Sequence, residues 1–121
     1  MPRGPSRRSR CRLRAWAPGS EVVFVDRVTE GAACTVLLAR HLIDTPDPLM
    51  IANCDQWVDA GIDDYLATMD RAAADGLIMT MWADDPKWSF VPFDAARRVA
   101  EVVDKNVVSN EATVALYNFR R

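Results

Sequence analysis

The chain has 121 residues, half of them hydrophobic, which suits one domain with a modest core. All 17 acids lie at or after Glu21, while six of the 15 basic residues (Arg3, Arg7, Arg8, Arg10, Arg12 and Arg14) precede it. The body therefore sets nine bases against 17 acids, a formal −8, which argues against a nucleic-acid surface because phosphate contacts need clustered Lys and Arg.

Residues 1–20 are rich in Arg, Pro and Ser, with no acid and no apolar run. That excludes a secretory signal, which needs an apolar centre. An organelle transit peptide, a disordered basic arm and a start codon upstream of the true frame all share this composition. The segment is expected to be a disordered basic extension without function, ahead of a domain over 21–121. No run approaches the ~20 apolar residues that span a bilayer, so no membrane partner is expected.

Glu21 to Val28, with Val22, Val23, Phe24 and Val25, reads as a buried strand. Thr29 is placed as a helix N-cap with Glu30 in the first turn, and Ala33, Val36, Leu37, Ala39 and Leu42 follow at helical spacing. Asp44 to Pro48 is loop, since two prolines in three residues cannot continue a helix. Leu49 to Asn53 reads as a strand, Ile62 to Ala74 as an amphipathic helix stopped at Asp75-Gly76, and Leu77 to Trp82 as another buried strand. After the Asp84-to-Lys87 loop, Trp88 to Phe93 and Val99 to Asp104 suggest a hairpin, and Ala112 to Phe119 a last β-rich run. The order β-α-β-α-β followed by three strands predicts an α/β fold, a mainly parallel sheet with an antiparallel addition.

The most informative stretch is Leu49-Met50-Ile51-Ala52-Asn53-Cys54-Asp55-Gln56, an apolar run that delivers an acid just past its end. Ligands of open α/β sheets sit outside the carboxyl ends of strands, where a carboxylate can hold a hard cation and, through it, a phosphate. Asp also follows strands simply because it caps turns and helix starts, and both readings of Asp55 stand on the octapeptide alone. Asp59, four residues on, either supports such a site or is a surface residue.

The three cysteines, Cys11, Cys34 and Cys54, are an odd number without metal spacing. They read as free thiols of a reducing, cytoplasmic compartment, two of them small core fillers. Cys54 has no histidine nearby in sequence to act as its base. His41, alone on its helix, reads as an ordinary histidine.

Five segments in order carry a resemblance: Thr29-Glu30-Gly31-Ala32-Ala33-Cys34-Thr35, Ile51-Ala52-Asn53-Cys54-Asp55-Gln56, Pro86-Lys87-Trp88-Ser89-Phe90-Val91, Glu101-Val102-Val103-Asp104-Lys105, and Ala112-Thr113-Val114-Ala115-Leu116-Tyr117-Asn118-Phe119. Together they resemble the sugar-phosphate nucleotidyltransferases, the nucleotidyl-transferring branch of the GT-A-like fold, over roughly Val22 to Arg121. The resemblance implies a three-layer, Rossmann-like sheet. It also implies transfer of a nucleotidyl group from a nucleoside triphosphate to a sugar phosphate or similar acceptor, with release of pyrophosphate, for polysaccharide or cell-envelope precursors.

Asp55 would then be the acid that holds Mg²⁺, and Lys105 the lysine of an acid-lysine pair that contacts the sugar phosphate. The nucleotide-facing set would be Glu30, Gly31, Asn53 and Trp88. For Glu30 a favourable place on the helix dipole is the competing role. Gly31 is either a close approach to base or ribose or a permissive first-turn residue. Trp88 and Tyr117 would line a sugar pocket or pack the core.

The family's opening G-x-G-x-R loop has no counterpart here, and its second metal-binding acid would lie past the last residue. The chain is therefore expected to be a domain cut at both ends. The alternative is a truncated, non-catalytic remnant or binding module whose exposed sheet edges favour self-association. Nucleic-acid binding by the Arg-rich start is a third reading, tested by salt-dependent binding with and without residues 1–20.

Overall fold

The computed structural model describes residues 7–120, with side chains from residue 12 onward, so residues 1–6 and the Cys11 thiol lie outside the described residues. The chain divides into two units, one up to Thr45 and one from Pro46.

The first unit holds three helices: α1 (Arg7–Trp16), α2 (Ala32–Leu37) and α3 (Arg40–Ile43). Helix α1 lies inside the stretch expected to be without structure. Arg14 in its last turn favours the negative end of the helix dipole, and the Ala17 amide donates to the Leu13 carbonyl at 2.8 Å. Residues 21–28, expected to be a buried strand, are irregular, with Val23, Phe24, Val25 and Val28 exposed. A β-rich composition makes a strand only where a neighbouring strand takes its amide and carbonyl groups.

The single helix expected after Thr29 is two short ones, and neither buries a residue. Gly31, not Thr29, is the N-cap of α2. Thr29 Oγ1 instead donates to the Gly31 carbonyl at 3.1 Å. Cys34, one of three cysteines of which two are expected in the core, is exposed.

The second unit is a five-stranded sheet with one helix: β1 (Leu49–Ala52), α4 (Ile62–Arg71), β2 (Gly76–Trp82), β3 (Ser89–Phe90), β4 (Val103–Asp104) and β5 (Glu111–Phe119). Strand β5 is central. Phe119 pairs with Leu49 of β1 and also with Gly76 of β2, so β5 has a neighbour on each edge. Strand β3 pairs with β5 through Phe90↔Ala112 and with β4 through Ser89↔Asp104 and Phe90↔Val103.

Every ladder among the described residues is antiparallel. The expected mainly parallel, three-layer, GT-A-like sheet is therefore overturned. The reason is specific. Strands β1 and β2, joined through α4, do run the same way, since each is antiparallel to β5. They are not neighbours, because β5 is inserted between them.

Helix α4 starts with Asp63 and Asp64 in its first turn and ends with Arg71, the arrangement its dipole favours. Tyr65 and Met69, four residues apart, form its buried stripe. The Tyr65 hydroxyl donates to the Leu77 carbonyl at 2.8 Å, which ties the helix to β2. The helix stops three residues before the expected Ala74: Ala72 is the C-cap, and Ala73 follows in the left-handed region at φ 46°.

Phe90, Val91 and Ala112 are fully buried, with Met81 and Trp88 packed against the Ala83–Phe90–Ala112 cluster. Among the described residues, no helix is long and apolar enough to cross a membrane.

Candidate functional site

The geometry of the site begins with an irregularity in β5. The β2–β5 register shifts between Ile78 and Thr80, which face Tyr117 and Thr113. Ala115, within that gap, is left-handed at φ 52°. Such bulges re-aim backbone groups and concentrate beside functional sites. Here two carbonyls of the bulge are used by the turn that leaves β1. The Asn53 amide donates to the Ala115 carbonyl at 3.3 Å, and Gln56 Nε2 donates to the Val114 carbonyl at 2.8 Å. Asn53 Nδ2 donates to Gln56 Oε1 at 3.2 Å and closes the turn on itself.

Asp55 sits inside this anchored turn and is exposed. No hydrogen bond or ion pair among the described residues engages its carboxylate. The five residues that follow, Gln56 to Ala60, line a cleft of about 470 Å³ together with Met79, Thr80 and Met81 of β2, Val114 of β5 and Trp88. Trp57 is 83% exposed, an indole available to a ligand. The polar groups on the lining are few: Gln56, Asp59 and Thr80. Thr80 Oγ1 donates to Glu111 Oε2 at 2.7 Å, which fixes its hydroxyl. A mostly apolar hollow with a small number of placed polar groups is the usual form of a small-molecule site.

Trp88 is set by a tight turn. Its amide donates to the Asp85 carbonyl at 3.2 Å. The Asp85 carboxylate accepts the Lys87 amide at 3.0 Å and meets Lys87 Nζ at 2.9 Å. The Lys87 side chain, then its amide, holds the Asp85 carboxyl below its usual value. On the other side, the Lys105 amide donates to the Trp88 carbonyl at 3.1 Å. Lys105 is left-handed at φ 54° just past β4, and its Nζ lies 3.6 Å from Asp104. Asp104 also accepts from Ser89 Oγ at 2.9 Å.

Of the residues expected from sequence, Trp88 and Asp59 line the cleft. Asn53 and Asp55 belong to the turn that leads into it, and Lys105 reaches Trp88 through its backbone. Glu30 lies in the first unit, where it lines a hollow of about 410 Å³ with Arg27, Cys34 and Leu38. Gly31 has extended backbone at φ 169°, and nothing lies within 4 Å of where a Cβ would sit. Its position therefore makes no demand for glycine. Tyr117 is half-buried, its hydroxyl 3.1 Å from Thr113 Oγ1. His41 is exposed. Cys54 is exposed too, so the expectation of two core cysteines does not hold.

Sequence reasoning gives no role to Trp57, Thr80 or the two methionines. The place of Trp57 two residues after Asp55 was the available signal; Met79 and Met81 read only as core of a buried strand.

No three His, Cys, Asp or Glu side chains gather as a metal cage among the described residues. Mg²⁺ does not need one: it keeps several waters and is commonly bound by one or two carboxylates together with substrate phosphates. The exposed, unengaged carboxylate of Asp55 fits that chemistry. No protein-family model matches the chain, and no curated protein matches it.

Proposed function

We propose that the second unit carries the acceptor and metal side of a nucleotidyl-transfer site, in which a sugar phosphate or related phosphorylated metabolite attacks the α-phosphate of a nucleoside triphosphate. The observation that carries this reading is the cleft itself. Its lining begins directly after the turn that carries Asp55 past the carboxyl end of β1, and it includes Trp57 and Trp88. Aromatic faces suit the apolar face of a sugar ring, and the acid beside them suits a cation shared with phosphates.

In the transfer, an acceptor phosphate oxygen forms a bond to the α-phosphorus. The bond from that phosphorus to the oxygen bridging to the β-phosphate breaks, and pyrophosphate leaves with the electron pair. The nucleophile is already anionic, so no side chain has to remove a proton. The protein's work is in-line positioning and neutralisation of charge. Mg²⁺, when bound, supplies that neutralisation at the phosphates, with Asp55 as its protein ligand. Trp57 and Trp88 hold the acceptor ring, Gln56 and Asp59 offer hydrogen bonds to its hydroxyls, and Lys105 adds positive charge. Exposed free thiols at Cys34 and Cys54 fit a reducing compartment, so we place the protein in the cytoplasm.

Calorimetry of the full chain with Mg²⁺ and each of the four common nucleoside triphosphates tests this reading. Asp55→Ala is expected to weaken binding at least about tenfold, the scale of a lost charge-assisted contact. Equal affinity would remove Asp55 from the metal site. Binding without pyrophosphate release, in the presence of glucose 1-phosphate, would make the unit a binding module rather than a transferase.

A further inference from the structure

The cleft has a charge problem if its ligand is a phosphate ester. Its lining carries one acid, Asp59, and no cation. An anionic group there needs a positive partner from the rim, and it needs one held in place.

Lys87 is so held. Its ammonium lies 5.2 Å from the centroid of the Trp88 ring, and Trp88 itself lines the cleft. A cation over an indole face is attracted by the ring quadrupole. Asp85 grips the same residue at both ends, through its amide at 3.0 Å and its ammonium at 2.9 Å. The Lys87 ammonium is thereby placed by both the Asp85 carboxylate and the indole, on a side chain that is itself 63% exposed.

We propose that Lys87 is the anchor for the anionic group of the acceptor, a specificity residue that makes the cleft prefer a phosphorylated sugar over the free sugar. This rests on the acceptor reading above. The ammonium has three donors, of which Asp85 takes one and leaves the rest for phosphate oxygens. The pair itself is half or more exposed, so it holds the lysine without locking it. Lys105 is the rival cation: its ammonium is likewise paired, with Asp104 at 3.6 Å, but its contact with Trp88 runs through its backbone, whereas the Lys87 ammonium lies over the Trp88 ring.

The test is a titration of intrinsic tryptophan fluorescence in the full chain with glucose 1-phosphate, glucose and inorganic phosphate. The unaltered protein is compared with Lys87→Met, Lys87→Arg and Lys105→Met. Loss of a charge-assisted contact is expected to weaken glucose 1-phosphate about tenfold in Lys87→Met. Glucose binding should be unchanged, which also controls for folding, and Lys87→Arg should recover most of the loss. Unchanged affinity of Lys87→Met for glucose 1-phosphate would overturn the assignment and leave the acceptor site standing, as would a loss seen only in Lys105→Met. An unaltered protein that binds no glucose 1-phosphate would overturn the acceptor reading, and this inference with it.

Discussion

The two units of this chain have similar apolar material and use it differently. Every buried side chain among the described residues lies from Pro46 onward. Before that point Val23, Phe24, Val25, Val28, Leu37 and Leu38 are all exposed. What separates the units is a shared strand. Strand β5 gives β1, β2 and β3 a partner for their backbone groups, and the sheet so formed gives Tyr65 and Met69 of α4 a surface to cover. The first unit has apolar residues without a ladder to arrange them. Burial therefore follows backbone pairing here, not composition.

The strongest way to break that contrast is to cut a large side chain from each unit. Phe90→Ala removes a fully buried ring and is expected to cost about 3–5 kcal/mol. Leu37→Ala, at 61% exposure, should stay within about 0.5 kcal/mol, as surface changes do. Urea denaturation followed by far-ultraviolet circular dichroism measures both, and equal losses would show that the first unit holds a core after all.

A finer probe is the hydroxyl that joins helix to sheet. Tyr65→Phe deletes the bond to the Leu77 carbonyl and should cost about 1 kcal/mol. Its pH dependence sharpens the result. Burial, partly opposed by the Asn118 backbone, pushes the Tyr65 phenol above its ordinary 10.0. The folded state thus keeps this proton longer than the unfolded chain does. The contribution is whole below pH 10 and is lost as pH rises toward the folded value. Stability of the Tyr65→Phe variant should fall less steeply above pH 10 than that of the parent; parallel curves would count against a buried phenol.

The smallest effect concerns a loop. The Asp94 carboxylate accepts the amides of Arg98 at 2.8 Å and Ala96 at 2.9 Å. The Arg98 amide is the main reason its carboxyl titrates below the ordinary 3.8. For a lowered acid, the stabilising bonds are present above the ordinary value and disappear as pH falls through the folded one. Protection of the Ala96 and Arg98 amides relative to their intrinsic exchange rates should fall below that point while Tyr65 and its neighbours stay protected. Simultaneous loss would mean that the loop and the sheet open together.

Much of the second unit was legible in the residues. The runs at Leu49, Leu77 and Ala112 became β1, β2 and β5 within a residue or so at most ends, and Ile62 does begin α4. Trp88 to Asp104 does form a hairpin, though its ladder is two residues long on each side plus a Phe93↔Val99 bridge. Neighbour order was not legible. Periodicity reports how a strand is buried, not which strand lies beside it, and a strand–helix–strand pattern fits a parallel pair equally well with or without a third strand between. The Val22-to-Val25 run failed for the same reason: nothing local tells a strand whether it has a neighbour. At the cleft, Trp88 is singled out through the resemblance and Asp59 through its spacing from Asp55, with a surface role left open for Asp59. Thr80 and Met79 could not be named, since their access to the cleft depends on a bulge that only the register reveals.

The central place of β5 also bears on how the chain is made. Of the described strands it leaves the ribosome last, and among the described residues β1 and β2 have their ladders only to it. Two rows of apolar residues, Leu49–Ala52 and Gly76–Trp82, must wait as nascent chain while the ribosome adds everything up to Glu111. Among the described strands, only the β3–β4 pair can zip up early. Such distant pairing slows folding and leaves sticky segments open in the meantime, and those two rows are where a chaperone would be expected to grip during translation.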